Sequence, residues 1–221
     1  MARPVLYVLA GVNGAGKSSI GGHLLTRAGL DWFNPDTFAR ELMASTSCDL
    51  ESANAHAWTE SVRRLDEAVA QGQSYAFETT LGGRTVAARI QAATDTHDVI
   101  IWFCGLDSPE RHLQRVRARV SQGGHDIPEA KIRARYPRAQ RNVIALMPHV
   151  AHMRVYDNST EAATGFPVPD PLLVMEWEHG HLVHPPAHDP AALGRTPEWA
   201  KALVEAALSL DLLKVKGENA I

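Results

Sequence analysis

Cysteine is almost missing from this sequence: Cys48 and Cys104 are the only two among 221 residues, far apart and without the spacing of a metal site. A disulfide framework and a thiolate zinc centre are thereby excluded as organising devices. Long apolar runs are missing as well, since none approaches the roughly 18 residues that a membrane-spanning helix requires. No charged segment followed by an apolar one opens the chain, and the expectation is a reduced, cytoplasmic protein with no membrane association. Positive charge is not in surplus. The 22 Lys and Arg face 25 Asp and Glu, a formal net charge of -3, which argues against a broadly basic nucleic-acid surface and leaves only a local basic groove open. Internal repeats and low-complexity tracts do not occur. An apolar share of 45% is ordinary for a chain that buries a full core, and the length fits one α/β domain or one with an appendage.

What is present is concentrated near the start. Gly11-Val12-Asn13-Gly14-Ala15-Gly16-Lys17-Ser18 fits G-x-x-x-x-G-K-[ST], the phosphate-binding loop. The apolar run 5–10 before it reads as a buried parallel strand, and Ile20, Leu24 and Leu25 after it recur at helical spacing. Strand, glycine loop and helix is the order this chemistry needs. Glycines let backbone N–H groups turn inward on the phosphates, the helix N-terminus adds partial positive charge, and Lys17 reaches the outer phosphates. Ser18 would ligate Mg2+. The candidate ATP-binding residues are Gly11, Asn13, Gly14, Ala15, Gly16, Lys17, Ser18 and Ser19.

Along the rest of the chain, residues 30–33 predict a short second strand ending at Asn34-Pro35-Asp36, with helices over about 37–43 and 52–70. Residues 74–77 predict a third strand that delivers Glu78-Thr79-Thr80, then a helix over 85–93 and a fourth strand over 99–106. Asp107-Ser108-Pro109-Glu110 starts a helix running to about Val120, and Gly123-Gly124 separates it from another over about 128–147. A fifth strand is expected at 152–156. Strands alternating with helices indicate a P-loop NTPase fold of the α/β class, a mostly parallel five-stranded sheet with helices on both faces. The tail differs: 172–178 and 181–184 flank His179-Gly180 as a β-hairpin, and 197–210 closes as a helix. The whole is read as one domain over 1–221, with a core over 1–165, a lid over about 115–141 and a C-terminal appendage over 166–221.

In open parallel sheets, ligands collect at the carboxyl ends of the strands. Asp36, beyond the second strand, is the candidate base that takes the proton of an acceptor hydroxyl; its alternative role is a helix cap or first-turn acid. Glu78 follows a buried strand, where a carboxylate needs a cation or donors. It would orient magnesium waters, bind the acceptor, or form a structural salt bridge, and Thr79 beside it is a second candidate acceptor contact. Asp107 reads as a helix cap and is left outside the site. Arg115, Arg117, Arg119, Arg133, Arg135, Arg138 and Arg141 form an arginine-rich segment hinged by glycines, suited to a lid in which two or three guanidinium groups touch phosphate. His179, His181, His184 and His188 lack metal-ligand spacing and are explained by the hairpin edge. A small-molecule kinase, a nucleotide-dependent binding module and a kinase for nucleic-acid ends all remain open on these residues.

The ordered set Gly11 to Ser18, Asn34-Pro35-Asp36, Phe77-Glu78-Thr79-Thr80-Leu81, Arg119 through Gly123-Gly124-His125-Asp126-Ile127-Pro128, Ile132, Arg135-Tyr136, Asn142 and Tyr156-Asp157-Asn158-Ser159 resembles the zeta toxin family of P-loop kinases over about residues 5–160. The resemblance implies a kinase using Mg2+ and ATP or GTP, with Asp36 as base, Lys17 as the loop lysine and Arg119 and Arg135 as the lid arginines, Arg133 being the alternative. It places His125 among the acceptor contacts. It offers UDP-N-acetylglucosamine as an acceptor and an antitoxin-like protein as a partner. The Phe77-Glu78-Thr79-Thr80 segment and the compact lid depart from the toxins, so fold and reaction type transfer while acceptor and toxicity do not.

Overall fold

A computed structural model of the chain describes residues 2–18, 21, 25, 30–124, 126–161 and 169–218. Its centre is a six-stranded sheet in the order β2-β1-β3-β4-β5-β6. These strands are β1 (Val5–Ala10), β2 (Tyr75–Thr79), β3 (Asp98–Gly105), β4 (His152–Asp157), β5 (Leu172–Glu178) and β6 (His181–His184). The first four are parallel and the last two antiparallel. The sheet alternates with helices α1 (Pro35–Ser45), α2 (Leu50–Ala70), α3 (Arg84–Ala93), α4 (Pro109–Val120), α5 (Glu129–Leu146), α6 (Pro190–Gly194) and α7 (Lys201–Glu218). It is the mostly parallel α/β P-loop fold with a C-terminal hairpin and helix.

Two details differ from the sequence reading. The expected strand over 30–33 contracts to a single parallel bridge from Phe33 to Phe77, because Asn34 turns the chain into α1 at once. The C-terminal hairpin joins the sheet, which has six strands rather than the expected five, because β5 pairs along β4. His179 (φ 48°) and Gly180 (φ 90°) both take the left-handed conformation, which a two-residue hairpin turn needs to match strand twist.

Alternation along the strands puts Val8, Ile101, Phe103, Met153, Val155, Met175 and Trp177 on one face. They join Ile90, Leu113, Ile132, Val143, Leu203 and Val204 from α3, α4, α5 and α7 in one buried cluster. On the opposite face Leu9 lies so close to Gly21 that a Cβ there would sit 2.0 Å from Leu9 Cδ2. Strand β1 lies between β2 and β3, so the chain leaves it toward opposite sides of the sheet in turn. That reversal opens a crevice at the carboxyl end of β1, where the phosphate-binding loop begins.

Capping residues aim the helices that border this crevice. Asn34 Oδ1 accepts from Asp36 N at 2.9 Å and Thr37 N at 3.2 Å, with Pro35 at the first helical position. The cap of α1 is therefore Asn34, with Asp36 as an acid in its first turn. For α4 the cap is Ser108 rather than Asp107, since Ser108 Oγ accepts from Arg111 N while Asp107 pairs with the Arg111 side chain at 2.8 Å. Gly123 (φ 88°) and Gly124 end α4 by returning N–H groups to Val120 and Arg119 at 3.0 Å each, the paired bonds of a Schellman stop.

At the end of β3, a Cβ on Gly105 would fall 2.1 Å from Trp199 Cη2. Gly105→Ala is expected to lower unfolding free energy by about 1–3 kcal/mol through overpacking, with partial recovery when Trp199→Leu is added. Urea unfolding of both variants measures this; an unaltered midpoint for Gly105→Ala would count against a fixed Trp199 ring.

Candidate active site

The loop after β1 keeps its shape because its glycines sit where no side chain fits. Gly11, Gly14 and Gly16 have φ of 147°, 85° and 86°. A Cβ would come within 2.3 Å of the Cys104 carbonyl oxygen at Gly11, 2.8 Å of the His112 carbonyl oxygen at Gly14, and 2.4 Å of Asn158 Nδ2 at Gly16. Asn158, at the end of β4, donates from Nδ2 to the Ala15 carbonyl at 2.8 Å, and Arg115 donates to the Asn158 carbonyl at 2.7 Å. The loop is thus braced from β3, α4 and β4 together.

Lys17 and Ser18 begin the helical turn after the loop. Lys17 Nζ lies 3.3 Å from Glu78 Oε1, with both side chains 7% exposed. Ser18 Oγ donates to Glu78 Oε2 at 3.0 Å, and Asn34 Nδ2 donates to the same oxygen at 2.9 Å. Glu78, carried to the crevice by β2, therefore meets the cation and donors that its burial demands. A hydroxyl and a carboxylate converging on the phosphate end form a hard oxygen set of the kind Mg2+ takes. No group of three or more His, Cys, Asp or Glu able to hold a metal occurs among the described residues.

Asp36 faces the same space from α1, with Arg119 Nη1 3.8 Å from its Oδ2. Arg135, from α5, donates to Asn13 Oδ1 at 2.7 Å. Burial pushes the Arg135 guanidinium below its ordinary value, opposed by the charge of Asp36; arginine nevertheless stays cationic. Arg133 is exposed and paired with Glu110 and Glu129. Arg117 likewise leans on Glu129. Thr79 lines the crevice while its Oγ1 accepts from Leu81 N at 3.1 Å. Leu81 holds φ 51°, unusual for a branched side chain, and Asn142 Nδ2 donates to its carbonyl at 2.7 Å. Ser19 and His125 lie outside the described residues.

Beyond the phosphate end the crevice widens into a cavity of about 760 Å3, lined by Lys17, Asp36, Glu78, Thr79 and Arg135 and by one face of α2 that includes Asn54, Trp58 and Ser61. Sequence reading missed this wall, since α2 has the ordinary spacing of an amphipathic helix. It also missed His112, which lies 1% exposed under the loop and donates from Nδ1 to the Asn13 carbonyl at 2.9 Å. Burial, with Lys17 and Arg115 adding to it, brings this imidazole down to about 4. Cys104, buried and pushed up to about 12, holds its proton.

Residues 6–148 match the model of the family described as AAA domain. An uncharacterized protein of Haemophilus influenzae is 26% identical over 150 residues, covering 62% of this chain and all of that one. Among solved structures, the AvrRxo1-ORF1:-ORF2 complex with ATP is similar in fold, with a TM-score of 0.63 at 17% identity over 93% of this chain and 64% of that one. This chain thus spans just under two thirds of that neighbour. The PezAT chromosomal toxin-antitoxin system of Streptococcus pneumoniae gives a TM-score of 0.53 at 15% identity over 71% of this chain and 68% of that one. At these identities the likeness to solved structures is one of fold. No helix among the described residues is long and apolar enough to cross a membrane.

Neutral His112 has a consequence for acid stability. The unfolded side chain titrates near 6.5 and the folded one near 4, so stability is complete above about pH 6.5 and is lost as pH falls from there toward 4, where the unfolded state alone takes up the proton. The loss between pH 7 and pH 5 is expected to be about 2 kcal/mol. Urea unfolding of wild type and of His112→Gln, which keeps a donor for Asn13, measures it. Equal pH slopes in the two proteins would remove His112 as the source.

Proposed function

The chain belongs to the AAA-domain family, and from that premise we propose that it is an ATP-dependent kinase transferring the γ-phosphate to a hydroxyl of a small molecule. The observation that carries the proposal is Asp36: a carboxylate at the mouth of a roomy cavity, beside Arg119 and across from the phosphate-binding loop. A switch or motor needs the loop but has no use for a carboxylate facing an acceptor-sized space.

In this reading Lys17, its ammonium already at the phosphate end, accompanies the outer phosphates. Arg119 and Arg135 supply positive charge to the transferring group. The acceptor oxygen bonds to the γ-phosphorus, the bond from that phosphorus to the β–γ bridging oxygen breaks, the hydroxyl proton passes to the Asp36 carboxylate, and ADP leaves. Mg2+, held through Ser18 and through water by Glu78, would supply further charge neutralisation at the β- and γ-phosphates. ATP as co-substrate is supported by the family and by the ATP-bound fold neighbour. UDP-N-acetylglucosamine as acceptor and an antitoxin-like protein as partner are finer forms of the proposal. The residue resemblance offers the acceptor, against which its departures at Phe77-Glu78-Thr79-Thr80 count; the partner is supported by the resemblance and by the toxin-antitoxin fold neighbour.

The test separates binding from transfer. Asp36→Asn is expected to bind ATP as wild type does and to lower the transfer rate by about 10²–10⁴-fold, the range for losing a general base. Lys17→Ala is expected to lose nucleotide binding itself. Calorimetry with a non-hydrolysable ATP analogue and phosphorus NMR of an acceptor reaction read the two effects, and wild-type turnover by Asp36→Asn would remove the proposed base.

A further inference from the structure

The wall of the cavity opposite the loop is the face of α2 on which Glu51, Asn54, Trp58 and Ser61 follow one another at helical three- and four-residue steps. Its residues are unlike those of a helix face that merely packs. Trp58, 53% exposed, lines this half-open space with its indole. Ser61 is only 7% exposed, lines the same space, and makes no side-chain hydrogen bond to any described residue. Ser45 and Ser209, by contrast, return their hydroxyls to the preceding turn, to the Glu41 carbonyl at 2.8 Å and the Glu205 carbonyl at 2.9 Å. A hydroxyl that is unreturned and open to the cavity, on a residue otherwise buried, is available to a ligand in place of water.

Charge narrows the ligand further. At the phosphate end Lys17, Glu78, Asp36 and Arg135 are engaged with one another or with the loop. Among the described residues, the rest of the lining carries two carboxylates, Glu51 and Asp126, against one ammonium, Lys131. ATP on the loop adds further negative charge. A second pyrophosphate in this space would meet one lysine and two carboxylates, whereas an amine would meet the carboxylates and the negative face of an indole.

Resting on the kinase reading of the site, we infer that the acceptor is a polyhydroxylated ring, neutral or amine-bearing, laid face-on against Trp58 with a hydroxyl held by Ser61, and that an anionic nucleotide-sugar is disfavoured. A ring face presents C–H groups to the indole and hydroxyls edgewise, where Asn54 and Thr79 supply amide and hydroxyl partners. Trp58 and Ser61 are specificity-determining residues in this account.

Binding and transfer are measured on the full chain with four probes: myo-inositol, glucosamine, kanamycin A and UDP-N-acetylglucosamine. Ligand-observed NMR in the presence of a non-hydrolysable ATP analogue reads binding, and phosphorus NMR with ATP reads transfer. At least one of the first three is expected to bind more tightly than UDP-N-acetylglucosamine. Trp58→Ala is expected to weaken that probe by about tenfold and Trp58→Phe by much less, since an aromatic face is retained. Ser61→Ala is expected to weaken it by about fivefold, the effect of one hydrogen bond. The Trp58 side chain is half exposed, so its variants should keep the wild-type melting temperature, which is checked first. The inference is overturned by preference for UDP-N-acetylglucosamine, by a preferred ring probe indifferent to Trp58→Ala, or by absence of binding from every ring probe. Transfer to UDP-N-acetylglucosamine would leave the kinase reading standing while this inference fell. A ring probe bound through Trp58 but never phosphorylated would reverse that outcome.

Discussion

Two opposite charges, Lys17 and Glu78, share a space from which water is nearly excluded, 3.3 Å apart. Neither would be tolerated there alone, because an unpaired ion in a low-dielectric interior costs several kcal/mol. The pair therefore dictates much of what surrounds it. Glu78 must arrive from β2 and Lys17 from the loop after β1, so these neighbouring strands have to run parallel and end level, which the register of Ala10 against Thr79 provides. The remaining acceptor capacity of the carboxylate is taken up by Ser18 and Asn34. A triphosphate entering the loop would then find its lysine held in place rather than needing to be ordered.

Asparagines do much of the joining. An amide carries donors and an acceptor on one short side chain, and three of them use both kinds of group or both backbone and side chain. Asn34 caps α1 with its oxygen and holds Glu78 with its nitrogen. Asn158 reaches the loop carbonyl at Ala15 and gives its own carbonyl to Arg115. Asn13 accepts from Arg135 through its side chain and from His112 through its backbone. The charged groups are thereby spaced and oriented by neutral ones, which exact little desolvation for the service.

Much of this arrangement was legible in the sequence, and the boundary of legibility has physical causes. The loop could be read because its glycines, lysine and serine are demanded by a local backbone shape. Strands β1 and β3 could be read because parallel strands covered on both faces are continuous apolar runs. The strand over 30–33 could not be distinguished from a single bridge, since a short apolar run says nothing about how long its pairing lasts. Joining β5 to β4 is a long-range choice that leaves no local mark. The convergence of Asp36 with Arg119 and of Arg135 with the loop needed the fold, because arginines that pair outward, such as Arg133, occur in the same run. His112 and the Trp58 wall were invisible for a simpler reason: an isolated polar or aromatic residue on an amphipathic helix has the same pattern whether it faces a cavity, a loop or water.

The mooring of Arg135 on Asn13 ties the state of the loop to the posture of two helices. Arg135 spends one guanidinium nitrogen on the loop's own amide and keeps its other N–H groups for a phosphate, while Asn13 is also gripped from α4 by His112. The loop is thus registered against α4 and α5 through a single asparagine, and a chain altered at Asn13 would surrender the Arg135 tie while keeping the backbone bond to His112.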